Sequence, residues 1–71
     1  MLTDRDIRML DFERRWWRDA SAKKEVIRRE FGVTPVRYFQ QLAHLIERPE
    51  ALDYDPVLVR MLLRRRDGDA S

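Results

Sequence analysis

Five side chains along PVRYFQQLAHL are of types that read nucleic acid: Val36, Arg37, Gln40, Gln41 and His44. Arginine donates in bidentate fashion to guanine, glutamine pairs with adenine, and an apolar side chain can meet a thymine methyl. If residues 35–47 are helical, these five lie away from Tyr38, Leu42 and Leu45, whose spacing marks a buried stripe. The stretch before them supplies cations. Lys23, Lys24, Arg28 and Arg29 are phosphate ligands by type. Thr34 opens the following helix, where a hydroxyl and free backbone N–H groups suit a phosphate.

Catalytic chemistry has little to work with. The hydroxyl residues are Thr3, Ser21, Thr34 and Ser71, and the first three sit where helix caps are needed. The only glycines are Gly32 and Gly68, so there is no glycine-rich phosphate loop. The chain has no cysteine and one histidine, which excludes disulfides, thiolate metal sites and histidine-rich metal sites. The acidic residues are interleaved with arginines at helical spacing, as on a solvated helix surface. No enzyme activity and no cofactor are expected.

The elements that must position these residues are helices. Thr3 with Asp6 forms a capping box, which starts a helix running from Asp4 to about Arg18. Its apolar residues fall on two stripes: Ile7, Leu10 and Trp17, and Met9, Phe12 and Trp16. An arc this wide predicts a central strut. The first stripe is assigned to the core. The second, Met9, Phe12 and Trp16, is assigned to an interface with a second copy or a protein partner, with fold-back of the last helix as the competing cover. Ser21 caps a second helix from about Ala22 to Phe31. Gly32 supplies the left-handed turn, with Val33 closing a Schellman ending. Thr34 and Pro35 begin a third helix, which ends near Glu47 ahead of Pro49. Residues 49–54 hold one helical turn with Leu52 inward. A fourth helix follows from Pro56 to about Arg65, burying Leu58, Met61 and Leu62. No segment alternates with the period of a strand. The expected fold is all-α, a small four-helix domain over residues 1–66 containing a helix-turn-helix, with a disordered tail at 67–71.

Charge is distributed in a way that agrees with this reading. The 71 residues carry a net charge of +2, with 39% of them charged. Residues 20–48 hold six basic and three acidic side chains, while residues 1–19 are balanced and 49–71 are net negative. The surplus thus falls on the candidate reading unit, where phosphates favour it. No apolar run approaches the roughly 20 residues of a membrane span. MLTDRDIRML lacks the features of a signal peptide, so a cytoplasmic location is expected, in the nucleoid if DNA is bound.

Ile27, Phe31, Val33, Tyr38 and Leu42, with glycine between Phe31 and Val33, keep the frame of a helix-turn-helix. This stretch resembles region 4 of bacterial sigma factors, which implies promoter-type DNA reading. The chain also resembles, over Leu2 to Leu63, a family of small actinobacterial proteins with no assigned function. The motifs that carry this likeness are LTDRD, FERRWWR, REFG and DPVLV. That resemblance implies an actinobacterial protein with a regulatory role, and brings no ligand or catalytic residue. Two functions remain open: a DNA-binding transcriptional regulator or nucleoid-associated factor bound to double-stranded DNA, and a protein-interaction module using the aromatic stripe. A salt titration on duplex DNA separates them.

Overall fold

Four of the five helices in the described residues begin where a side chain or a proline relieves the unpaired N–H groups of the first turn. The computed structural model describes residues 1–16 and 22–70. Its helices are α1 (Asp4–Trp16), α2 (Lys23–Phe31), α3 (Pro35–Leu45), α4 (Pro49–Tyr54) and α5 (Pro56–Ala70). There is no strand among the described residues, and no helix there is long and apolar enough to cross a membrane.

The capping box of α1 forms as expected. The Thr3 N–H donates to Asp6 Oδ2 and the Asp6 N–H to Thr3 Oγ1, both at 3.0 Å. Trp17, Arg18 and Ser21 lie outside the described residues, so the end expected for the first helix and the expected cap of the second fall there too. α2 follows Ala22, which makes no side-chain cap bond. Gly32 has φ 66°, and its N–H donates to the Arg28 carbonyl at 3.0 Å, the bond of an αL ending. Thr34 is extended at φ −68°, ψ 153°, and its hydroxyl accepts from the Arg37 N–H at 3.2 Å.

The second half differs in detail from the expectation. α3 stops at Leu45, because Glu47 and Arg48 bond back three residues, to His44 and Leu45, and tighten the last turn. The single turn expected at 49–54 is a helix of its own, with Pro49 at its start. Its fully buried residue is Ala51, while Leu52 is only partly buried against the core. Among the described residues there are therefore five helices, not four. α5 continues through Asp67 to Ala70, past Arg65 and into the residues expected to form a tail. Arg66 helps to hold this end, donating to Glu47 Oε1 at 2.8 Å.

The core joins Met9, Leu10 and Phe12 of α1 to residues of every other helix, among them Ile27, Tyr38, Ala51, Leu58 and Val59. This corrects the interface assigned to Met9, Phe12 and Trp16. Met9 and Phe12 are each 1% exposed, and Trp16 is half-buried with its ring stacked on Phe12 at 6.1 Å. The Phe12 ring also meets Phe31 at 5.4 Å and Tyr38 at 5.8 Å, both edge-on. Met9 and Phe12 of one stripe and Leu10 of the other are thus buried in one continuous arc. α2 and α3 cover its aromatic side, and α5 packs on α1 through Leu58, Val59 and Leu62. Ile7, expected in the core, is only half-buried.

Candidate functional site

The outer face of α3 follows from its inner one. Pro35, Tyr38, Leu42 and Leu45 are buried, which turns Val36, Arg37, Gln40 and His44 outward, all exposed. Val36 is 69% exposed, an unusual place for a β-branched apolar side chain. The helix, PVRYFQQLAHL, carries no carboxylate, although the chain has 13 acidic residues. The exposed Thr34 stands at its N-terminus, where the helix dipole is positive.

Lys24, Arg28 and Arg29 are exposed on α2. Among the described residues, none of these three side chains, nor that of Arg37, is in an ion pair or a hydrogen bond. Four cations are thus left to solvent or to an anionic partner. Lys24 and Arg28 are four residues apart and share a flank.

Lys23 is a correction. It is 8% exposed, and its ammonium donates to Glu13 Oε1 at 2.7 Å. The same carboxylate accepts from the Tyr38 hydroxyl, at 2.6 Å on Oε2. Burial first, and the Glu13 charge second, push the Tyr38 hydroxyl far above the ordinary tyrosine range, so it stays protonated and donates. Glu13, Lys23 and Tyr38 come from α1, α2 and α3, and together they fix how those helices meet. Lys23 therefore does not serve a phosphate. Its Nζ also lies 5.4 Å from the centroid of Phe39, whose ring packs edge-on against Tyr38 and is 40% exposed.

Gln41 is half-buried on the flank of α3 that faces α1, and its Oε1 accepts from Arg5 at 2.6 Å. Below this pair lies a cavity of about 250 Å³, lined by Arg5, Asp6, Met9, Gln41, His44, Leu45 and Arg48. Arg8 donates to the Glu30 carbonyl at 3.0 Å, and its guanidinium lies 5.2 Å from the Phe31 centroid.

Sequence reasoning missed Glu13, Arg5 and the pairing of Asp55 with Arg14, though Asp55 with Pro56 was expected to start the last helix. Glu13 had a signal: it stands three residues after Leu10 and four after Met9, so helical spacing puts it inside the apolar arc. Arg5 had none, since its partner Gln41 is 36 residues away. Asp55 is 7% exposed, caps α5 through the Leu58 N–H at 3.3 Å, and takes a two-pronged contact from Arg14 at 2.7 and 2.5 Å.

The chain belongs to the family described as "Protein of unknown function (DUF3263)", which it matches over residues 1–70. No curated protein and no solved structure matches it.

Proposed function

We propose that this protein binds double-stranded DNA, with α2 and α3 acting as a helix-turn-helix and α3 lying in the major groove. The observation that carries the reading is the outer face of α3, free of carboxylate in an acid-rich chain and flanked by unpaired cations on α2. Arg37 and Gln40 are the base-reading residues, and Val36 is the contact for a thymine methyl. Lys24, Arg28 and Arg29 hold phosphates, and the N-terminus of α3 at Thr34 takes another. His44 stands further along the same face. The likeness of this unit to sigma factor region 4 supports a role in transcription or nucleoid organisation, in the cytoplasm of an actinobacterium. The partner-binding alternative rested on an open aromatic stripe, of which Met9 and Phe12 are buried and Trp16 is half-buried.

The test is binding to random and selected duplexes across a salt series. Affinity is expected to fall steeply with salt. Arg37→Ala is expected to cost about 1–3 kcal/mol on the preferred sequence and to flatten sequence choice. Lys24→Ala is expected to weaken all sequences alike. Absence of any retention on duplex at low salt would overturn the reading.

A further inference from the structure

We propose that the cavity between α1 and α3 is a binding site for a phosphate group, received by Arg5, Gln41 and His44. Arg5 is the central residue of this site. Its side chain is half-buried, and among the described residues it makes no ion pair. Its contacts are the Gln41 amide oxygen at 2.6 Å and the Phe31 ring, 6.0 Å from the guanidinium carbon. Neither carries a negative charge. A guanidinium drawn out of water ordinarily has a carboxylate or phosphate to meet it.

The rest of the lining points the same way. Asp6, the one carboxylate lining the cavity, has its charge met by Arg48 at 3.2 Å, and the same oxygen, Oδ2, accepts from the Thr3 N–H. Gln41 spends its oxygen on Arg5, which leaves its amino group to donate. His44 is exposed and offers an N–H in either charge state. The open valences of Arg5, Gln41 and His44 are therefore donors: the remaining guanidinium N–H groups, an amide NH₂ and an imidazole N–H. Met9 and Leu45 form an apolar floor that offers an anion no competing acceptor. The volume exceeds what a single water needs. A tetrahedral oxyanion with several acceptor oxygens matches this donor set.

Two sources share this chemistry. One is a backbone phosphate of DNA beside the groove that α3 occupies, which rests on the proposed DNA reading. The other is a small phosphate-bearing molecule, which does not.

The experiment has two arms on the full chain. In the first, inorganic phosphate is titrated against the His44 ring and Gln41 side-chain amide signals in NMR, with chloride at matched ionic strength. A saturable shift is expected with phosphate alone, weakened about tenfold or more in Arg5→Met, the loss of one charge-assisted contact. In the second, duplex affinity is measured against salt for wild type and Arg5→Met. A salt slope reduced by about one in the variant identifies a DNA phosphate. An unchanged slope with saturable phosphate binding identifies the small-molecule source. Wild type that binds phosphate but not duplex keeps the site and removes the DNA reading. Shifts equal to those with chloride, together with an unchanged slope, overturn the site and leave the DNA reading standing. His44→Gln, on the exposed rim, serves as the second variant if Arg5→Met loses its fold.

Discussion

Glu13 is 1% exposed, and its two oxygens are met by an ammonium and a phenol from two other helices. Charges taken from water cost several kcal/mol each and are tolerated only when every lone pair and proton is met. Removing one member strands the rest. Glu13→Ala is expected to destabilise the fold by about 3–5 kcal/mol in urea denaturation. The combined Glu13→Met, Lys23→Met and Tyr38→Phe variant is expected to regain most of that loss, since no buried polar group is then left unmet. The same network explains why Lys23 and Lys24, alike in type, differ in role. Lys23 stands four residues before Ile27 and shares its buried face, so spacing could have told them apart.

At the scale of elements, the starts of α1 and α3 and the turn after α2 were legible in the sequence because each depends on a few adjacent residues. Thr3 with Asp6, Thr34 with Pro35, and Gly32 all take the conformations their types favour. The ends were less legible. α3 stops early and α5 runs on, and both outcomes depend on contacts distant in sequence, such as Arg66 with Glu47. Of the candidate site, the outer face of α3 was legible from the buried spacing, whereas Arg5 and its cavity depend on the packing of α1 beside α3. Gly32 permits a clean test. A Cβ there meets nothing within 4 Å, so Gly32→Ala carries only the backbone cost of φ 66°. That substitution is expected to lower stability by about 1–2 kcal/mol in thermal or chemical unfolding.

The cap of α5 makes the domain sensitive to acid. The Arg14 guanidinium first, with the Leu58 N–H also contributing, holds the Asp55 carboxyl below its ordinary range. A carboxyl lowered in the folded state stabilises fully above its unfolded value, about pH 4, and loses that contribution as pH falls through the folded value. Glu50 behaves alike. It is lowered to about 2 by its own backbone N–H, then by Arg48 and the N-terminal ammonium. Asp55→Asn is expected to be less stable than wild type at neutral pH and to show a shallower loss below about pH 4, as followed by circular dichroism.

For the whole molecule, the decisive change from the sequence reading is that Met9 and Phe12 of α1 are covered within the chain. Two chain-distant covers, α3 and α5, close on it, and their arrival was not readable from the pattern of α1 alone. Trp16 stacks on Phe12 inside this closure. Trp16→Ala is therefore expected to lower the unfolding midpoint while leaving the mass in sedimentation equilibrium equal to that of wild type. A Trp16→Ala variant of unchanged stability but smaller assembly would return the stripe to an interface. The folded body measures 31 × 28 × 19 Å, a little less than one turn of duplex along its longest axis.

The three-way contact of Glu13, Lys23 and Tyr38 also constrains ancestry. Any single replacement passes through a protein with a stranded charge or an unmet hydroxyl, which selection removes, so drift at one position is blocked until its partners change. Among relatives within the family, these positions are expected to behave as one inherited character. A homologue lacking the carboxylate should lack the ammonium and the phenol as well, and an alignment showing the three varying independently would place the helix junction of this lineage on other contacts.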